Sequence, residues 1–367
     1  MANFPESWAY IPNIECFPSF INYIENKKGT LKLFYIFKLL INLFIAIINF
    51  DFLLSKKTKN LVKPIINADI IYSCGGGNFY SNTFFASDFF LNSLTILFAG
   101  WLHKNIIMLP QSFGPFYKKF HLLLLRICLK YPQKIYTREK ISFELLKSNQ
   151  IPDEKIKIIP DLALGLNSIQ LNNNPYLEES KSIKIGITII NRGNQFAGFK
   201  SQDIYVKEII NTIQFLLLQK NTSIYFFVQC YGPSNDQNDN LITTEIYNHF
   251  SRESDRVYLL NHYKSFDEIV IDMSRMNLLI ASRMHTAIFG IINQVPTILI
   301  GYQHKAKGLF AMLHIDEYFV SIDALSANFL TNKAQELLVL KNNFNYKIER
   351  ELPNIQNEIN NLPLKAI

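Results

Sequence analysis

From residue 66 onward, apolar positions follow two alternating spacings. Short apolar runs typical of buried strands include ADIIYS, NIIML and KIKII in the first half, and SIKIGITII, SIYFFVQCYG, NLLIAS and VPTILIGY in the second. The stretches between them place apolar residues at helical spacing, as in DIYVKEIINTIQFLLLQ. Strands that alternate with helices predict an α/β protein with parallel, doubly wound sheets.

One polar stretch interrupts this alternation. Residues 165–182, GLNSIQLNNNPYLEESKS, have no period and are predicted to be a linker. We therefore expect two Rossmann-like domains, at residues 1–164 and 183–330, and a polar helical tail at 331–367 that can pack on the first domain. Ligands of such sheets bind beyond the carboxyl ends of the strands, so the site is expected in a cleft between the domains.

Residues 33–54, LFYIFKLLINLFIAIINFDFLL, are the most apolar segment near the start of the chain. A spanning helix needs about 20 predominantly apolar residues, and Lys38, Asn42, Asn49 and Asp51 interrupt this one. A buried or interfacial helix is therefore the better prediction. The segment is the candidate for peripheral association with a membrane surface.

Composition narrows the classes of protein. The hydrophobic fraction is 49% and the formal net charge is +7. A positive excess suits anionic ligands, a nucleic acid or an anionic membrane, or serves solubility alone. The basic residues are scattered, so nucleic-acid binding is not expected. The four cysteines, Cys16, Cys74, Cys128 and Cys230, include no CxxC pair; they are typical of reduced core residues in a cytosolic protein, without a metal site.

Two strand ends in the first half carry candidate binding groups. The CGGGN stretch contains Gly75, Gly76, Gly77 and Asn78, whose backbone N–H groups can approach and cradle a ligand. The PQSFGPF stretch offers Gln111 and Ser112, which can bind hydroxyl groups. Both stretches are equally consistent with simple turns after strands.

Strand ends in the second half carry further candidates. Arg192 follows SIKIGITII, and Gln229 and Asp239 flank the turn after SIYFFV. A single Arg after an apolar strand is often only solvated, but strand ends face the expected cleft, so a binding role for Arg192 stays open. Gln229 and Asp239 are better explained by turn chemistry and helix capping.

SRMHTAIFGII places Arg283 and His285 at the start of an apolar helix. The positive end of the helix dipole opposes cations there, so the pair suggests a bound anion. Arg283 suits a phosphate or carboxylate, and His285 beside an anion can act as a general acid; packing or capping is the alternative for His285. The next strand leads to Tyr302 and Lys305, and Lys305 can hold a second anionic group.

In order along residues 66–310, the motifs ADIIYSCGGGNF, PQSFGPF, TREKISFELL, PDLAL and SRMHTAIFGIINQVPTILIGYQHK resemble the polysaccharide pyruvyl transferase family. The resemblance implies a two-domain, GT-B-like fold and transfer of pyruvate from phosphoenolpyruvate to a sugar diol, forming a cyclic ketal and releasing phosphate. It implies no cofactor beyond phosphoenolpyruvate as co-substrate.

The resemblance also implies residue roles. Arg192, Arg283, His285 and Lys305 fall on family positions that bind and activate phosphoenolpyruvate. The glycine stretch and the Gln111/Ser112 stretch are then expected to face the acceptor, a sugar or a lipid-linked glycan.

Two departures from the family pattern concern the first domain. The chain opens with MANFPESWAYIPN, so the family's first strand–helix unit is expected to be missing or altered. Glu139 stands where the family generally has Asp.

Two other functions remain open. A GT-B-type glycosyltransferase would use a nucleotide sugar on the same fold, since fold does not fix chemistry. A non-catalytic glycan-assembly protein is the other alternative, although it has no need of an acid such as His285.

Overall fold

Two hydrophobic cores organise the chain. The computed structural model describes residues 15, 17–24, 27, 29–48, 51–168, 182–191, 201–232, 238–263 and 265–362. The chain divides into two compact units, Met1–Ile159 and Pro160–Ile367. Each unit has its own cluster of buried apolar side chains and its own parallel sheet.

The first unit alternates helices with strands after a helical start. Its elements are α1 (Phe20–Ile24), α2 (Gly29–Ile47), α3 (Lys56–Asn67), β1 (Ile70–Ser73), β2 (Gly76–Ser81), α4 (Ser87–Trp101), β3 (Asn105–Phe116), α5 (Lys119–Cys128), β4 (Lys134–Thr137), α6 (Lys140–Ser148) and β5 (Ile156–Ile158).

The first sheet has the order β1-β3-β4-β5, and β2 also pairs with β3. Both β1 and β2 lie along the edge of β3 that is opposite β4, because Met108 pairs with β1 and β4, and Gln111 pairs with β2 and β4. The two stretches that we interpreted as turns are therefore strands. The glycine run begins β2 and PQSFGPF continues β3, because the two segments pair with each other.

The second unit is a doubly wound sheet flanked by helices. Its elements are β6 (Ile183–Thr188), α7 (Gln202–Leu218), β7 (Thr222–Phe227), α8 (Asp239–Ser251), β8 (Val257–Leu260), α9 (Phe266–Ser274), β9 (Leu278–Ala281), α10 (Met284–Ile292), β10 (Thr297–Gly301), α11 (His304–Met312), β11 (Phe319–Ser321), α12 (Ala327–Val339) and α13 (Lys341–Asn360).

The strand order of the second sheet is β11-β10-β9-β6-β7-β8, and every pairing is parallel. Read along the chain, this is the Rossmann order, whose direction of winding reverses between its first and fourth strands. Here the reversal lies between β6 and β9. The predicted fold class, two Rossmann-like α/β domains, is confirmed.

The division into units differs in detail from the predicted boundaries. It falls between Ile159 and Pro160, and Leu164 belongs to the second core. Most of the predicted linker, residues 169–181, lies outside the described residues. The tail belongs to the second unit, not the first: α13 buries Phe344, Ile348 and Leu352 in the second core.

The cysteines do not share one environment. Cys128 is buried, Cys230 is half-buried and Cys74 is exposed, while Cys16 lies outside the described residues. Cys74 is exposed because it falls at the break between β1 and β2. Burial in the first core raises the pKa of the Cys128 thiol to about 12.

Candidate functional site

A cavity of about 760 Å³ lies in the second unit beyond the carboxyl ends of its strands. Residues that follow β7, β9 and β10 line it: Gln229, Cys230, Arg283, His285, Tyr302 and Lys305. Phe266, Phe289 and Tyr263 form an apolar part of the wall. The structure therefore brings five of the sequence-predicted site residues to one cavity, at the position where doubly wound sheets bind ligands.

A charged pair fixes the guanidinium of Arg283. Its Nε donates to Asp239 Oδ2 at 2.8 Å and its Nη2 donates to Asp239 Oδ1 at 2.7 Å. Asp239 is 1% exposed, and Oδ1 also accepts the backbone N–H of Asn191 at 2.8 Å. Two of the five guanidinium donors are engaged in this way within the described residues. The geometry orients Arg283 and leaves donors for an anion in the cavity.

The charge states of this pair follow from its surroundings. Burial raises the pKa of the Asp239 carboxyl, and the hydrogen bond from Arg283 opposes that rise. Burial alone would lower the pKa of Arg283, but the hydrogen bond and charge of Asp239 outweigh it and raise the pKa. Arg283 is therefore a fixed cation, since its pKa rises from a value that is already far above neutrality.

Buried hydroxyl groups hold the turn that carries Arg283. The hydroxyl of Tyr205 lies 2.7 Å from Ser282 Oγ and accepts the backbone N–H of Ile190 at 3.2 Å. The backbone N–H of Ser282 donates to Thr188 Oγ1 at 3.0 Å. These contacts join α7 and the ends of β6 and β9, so the cavity rim is rigidly supported.

A second contact ties α10 to the end of β7. The Thr286 hydroxyl donates to Gln229 Oε1 at 2.5 Å. Gln229 lines the cavity, and this bond orients its amide there. Sequence reasoning explained Gln229 by turn chemistry, because nothing local reveals a partner 57 residues away.

His285 lies in the first turn of α10 and is exposed. Its imidazole ring stacks with Phe289 at a centroid distance of 6.3 Å and an interplanar angle of 24°. Phe289 in turn meets Phe266 edge to face. The imidazole is therefore held at the cavity by aromatic packing while remaining accessible to a ligand.

Two helices open into the cavity without a side-chain cap. The N-cap residues of α10 and α11 are Arg283 and Gln303, and neither side chain accepts a hydrogen bond from its helix. By contrast, the N-cap side chains of α7, α8, α9 and α12 do accept such bonds; these residues are Ser201, Asn238, Ser265 and Ser326. Uncapped N–H groups and the helix dipole make the two cavity-facing ends suitable for anions.

The first unit has its own cavity, of about 930 Å³, beside the β1–β2 edge. Gly77 and Asn78 line it, with Cys74 and Asn92. Gly75 packs so closely that a Cβ there would stand 2.4 Å from the carbonyl oxygen of Pro110. A glycine is therefore required at position 75 by close approach of two backbones.

The other predicted acceptor residues are buried. Gln111 is 0% exposed, and its amide has no hydrogen-bond partner within the described residues. Ser112 donates to Glu139 Oε2 at 2.8 Å, so the Glu at position 139 anchors β3. The acceptor role of Gln111 and Ser112 stays a prediction. Arg192 lies outside the described residues, and so does the altered chain start at residues 1–14.

A family model described as polysaccharide pyruvyl transferase matches residues 8–304. The chain belongs to the polysaccharide pyruvyl transferase family. The match includes every predicted site residue except Lys305, which follows it directly. The sequence-based recognition of this family is confirmed.

A curated relative supports the same assignment. The chain is 21% identical over 275 residues to the amylovoran biosynthesis protein AmsJ of Erwinia amylovora. The match covers 72% of this chain and 64% of AmsJ, so the chain spans less than two thirds of that relative.

Solved structures share the fold at low identity. A UDP-N-acetylglucosamine 2-epimerase from Listeria monocytogenes matches with a TM-score of 0.56 at 11% identity, covering 82% of this chain and 78% of that one. Another UDP-N-acetylglucosamine 2-epimerase matches with a TM-score of 0.54 at 12% identity, covering 96% and 81%. These proteins show that this pyruvyl transferase family member has a GT-B-like fold, and nothing more.

Sequence reasoning missed several polar contacts near the predicted site residues. Tyr205 was interpreted only as part of an amphipathic helix, although a hydroxyl on its buried face signals a polar partner. The pairing of Asp239 with Arg283 was also missed. Arg138, which follows β4, donates from Nε to the carbonyl of Pro110 at 3.0 Å, next to Gly75. Its position after an apolar strand is the same signal that singled out Arg192.

Proposed function

We propose that the chain transfers pyruvate from phosphoenolpyruvate to a sugar diol of a cell-surface polysaccharide or its precursor, forming a cyclic ketal and releasing phosphate. The observation that carries the proposal is the second-unit cavity. Two uncapped helix ends open there beside Arg283 and Lys305. Phosphoenolpyruvate carries two anionic groups, a phosphate and a carboxylate, and this arrangement offers cationic or N–H donors for both.

The reaction needs one proton at carbon and two hydroxyl additions. Protonation of the methylene carbon turns CH₂ into CH₃ and makes the neighbouring carbon electrophilic. The first hydroxyl then adds and releases its proton. Phosphate departs with the electron pair of the broken C–O bond, and the second hydroxyl adds and releases its proton to close the ketal. The two hydroxyl protons balance those delivered to carbon and to phosphate.

His285 is the proposed general acid for the methylene carbon or the departing phosphate. It is exposed at the cavity, in the first turn of α10 beside the proposed anion site. A bound anion favours its protonated form. A positioned acid contributes roughly 10²–10⁴ in rate. Arg283 and Lys305 stabilise charge on the phosphate as it leaves, and Arg192 is proposed to join them.

The acceptor is proposed to bind at the first unit. Its cavity presents Gly77 and Asn78, which suit sugar hydroxyl groups. AmsJ is described as an amylovoran biosynthesis protein, which supports a polysaccharide acceptor. We further propose that the reaction takes place in the cytoplasm on a sugar or lipid-linked precursor.

Phosphate release from phosphoenolpyruvate, measured with candidate diol acceptors, tests the proposal. We expect acceptor-dependent phosphate release that falls at least about 100-fold in His285→Ala. The matched control is His262→Ala, since His262 is an exposed histidine of the same unit that does not line the cavity. Wild-type turnover in His285→Ala with a competent acceptor would refute the acid role.

Ligand-induced thermal shifts separate the remaining functions. Phosphoenolpyruvate is expected to raise the melting temperature, and Arg283→Lys should weaken that shift because it removes the planar fork. A shift with UDP-N-acetylglucosamine and none with phosphoenolpyruvate would favour a glycosyltransferase. Phosphoenolpyruvate binding without phosphate release for any acceptor tested would favour a non-catalytic role.

A further inference from the structure

The helix α2 exposes a broad apolar face. Leu33, Phe34, Phe37, Ile41, Phe44 and Ile48 are exposed large hydrophobic residues, and five of these positions repeat at intervals of three and four residues. Phe52 and Leu53 extend the surface into the turn that follows, where Phe52 is 73% exposed. We call these eight residues the apolar face. An exposed surface of this kind marks an interaction site.

The opposite side of α2 is built into the first unit. Leu39, Leu43 and Ala46 are buried in the first core. Asn42 on the same side donates from Nδ2 to the Tyr23 hydroxyl at 3.3 Å. By length and composition, Thr30–Ile47 is the one helix of the described residues that can cross a membrane, with a mean hydropathy of 1.9. A helix packed on one side by its own domain, however, is not surrounded by lipid.

The segment that carries the apolar face is strongly basic. Residues 27–63 contain eight lysines and one acidic residue, Asp51, so this segment has a formal charge of +7. The whole chain, with 37 basic and 30 acidic residues, also has a net charge of +7. The remaining residues therefore balance at 29 of each sign. These other 29 basic residues are scattered along the chain, so the excess of positive charge corresponds to residues 27–63.

Several of these lysines are exposed in the same segment as the apolar face. Lys38 lies on α2 itself, and Lys56, Lys59 and Lys63 are exposed on α3. Two copies of the chain facing each other through this surface would bring like charges together. An anionic surface complements it instead, and apolar residues flanked by lysines are typical of helices that lie in a lipid interface.

We propose that the apolar face docks the first unit on an anionic lipid bilayer. The helix α2 lies in the interface with its phenylalanines inserted about 5–10 Å, while the lysines contact lipid headgroups. This proposal does not rest on the proposed function. It predicts, however, that the unit proposed to bind the acceptor works at a membrane surface, where a lipid-linked glycan would be presented.

Vesicle flotation with the full chain tests the proposal. Wild type is expected to float with vesicles of equal parts phosphatidylcholine and phosphatidylglycerol, and to bind phosphatidylcholine vesicles at least about tenfold more weakly. The variant Phe37→Glu/Phe44→Glu should lose at least about tenfold in binding to the mixed vesicles. Both side chains are 62% exposed, so the fold should survive, which circular dichroism checks.

The matched control places the same charges on exposed apolar positions elsewhere. Leu218→Glu/Val339→Glu changes residues that are 79% and 81% exposed at the ends of α7 and α12, and it should float like wild type.

Alkaline carbonate should release the wild-type protein. Failure of wild type to float, or equal loss in both double variants, would overturn the proposal. Carbonate-resistant binding would indicate a spanning helix instead. If the wild type does not float but forms a dimer that Phe37→Glu/Phe44→Glu dissociates, the apolar face binds a second copy of the chain instead.

Discussion

At the scale of single residues, the site depends on how the positive charge of Arg283 is balanced. A cation at a helix N-terminus is unfavourable because the helix dipole is positive there. Asp239 supplies one compensating charge, and the pair is oriented by two short hydrogen bonds. The carboxylate is almost fully buried while the guanidinium is 22% exposed, so the positive charge is the member of the pair presented to the cavity.

Asp239→Asn is expected to disturb both stability and phosphoenolpyruvate binding. The amide cannot balance the guanidinium, and breaking a buried pair from one side costs about 3–5 kcal/mol. Partial exposure of Arg283 should reduce this loss to about 2 kcal/mol. Chemical denaturation and the KM for phosphoenolpyruvate provide the measurements. Asp203→Asn is the control, because Asp203 is an exposed acid in the first turn of α7. Equal effects of the two substitutions would contradict the role of Asp239.

Cysteine reactivity should separate Cys74 from Cys128. Cys74 is exposed and should react with maleimide in the native protein, whereas Cys128 should react only after unfolding. The folded-state pKa of Cys128 is raised from 9.0 to about 12. The protonated thiol thus favours the folded state below pH 9, and this contribution is lost as the pH rises toward 12. Peptide mapping by mass spectrometry at pH 8 and pH 10 provides the check. Native labelling of Cys128 at pH 8 would be inconsistent with its burial.

At the scale of elements, the sequence predicted what local pattern determines. Apolar runs such as NLLIAS became buried strands, and the alternation of strands and helices identified both Rossmann-like units. The misses came from pairing between distant segments. Gly76 and Gln111 are partners across β2 and β3, and only that pairing converts two turn-like stretches into strands. The Arg283–Asp239 pair spans 44 residues, so local reasoning had no means to find it.

The terminal helix α13 is a clear case of such a non-local contact. Its polar sequence suggested a peripheral tail, yet Phe344 and Ile348 are fully buried in the second core. Gln356 on α13 also donates from Nε2 to the carbonyl of Leu164 at 3.2 Å. The helix thus completes the core of the second unit.

Phe344→Ala is expected to destabilise the protein by about 3–5 kcal/mol, because it leaves a cavity in a closed core. Thermal and denaturant unfolding of the full chain provide the measurement. Tyr346→Ala serves as the control, since Tyr346 is on the same helix and 65% exposed. A loss below about 1 kcal/mol for Phe344→Ala would show that α13 is a dispensable tail.

At the scale of the whole molecule, the position of the positive charge along the chain says more about binding than the total charge does. A net charge of +7 was compatible with anionic ligands, nucleic acid, membranes or solubility alone. Residues 27–63 alone have a formal charge of +7, which favours a surface interaction by that segment. The rest of the chain is balanced, and the cations of the second-unit cavity belong to a local site with its own carboxylate. The two features are therefore independent and can be altered separately.

Lys56→Gln/Lys59→Gln/Lys63→Gln should weaken vesicle binding in a salt-dependent way. Each lysine near an anionic surface contributes about 1 kcal/mol, so the triple variant should bind about 100-fold more weakly at low salt. The difference should shrink as the Debye length falls from about 30 Å at 0.01 M salt to about 8 Å at 0.15 M. Flotation across a salt series measures both effects.

The matched control is Lys207→Gln/Lys220→Gln/Lys341→Gln, which removes three exposed lysines from the second unit and gives the same net charge. If net charge alone controls binding, the two triple variants should behave alike. If residues 27–63 control binding, only Lys56→Gln/Lys59→Gln/Lys63→Gln should lose affinity for the vesicles. Both triple variants should retain acceptor-dependent phosphate release in solution, because none of the six lysines lines the second-unit cavity. A salt-independent loss in the first variant would point to damaged packing of α3 instead of lost attraction to lipid.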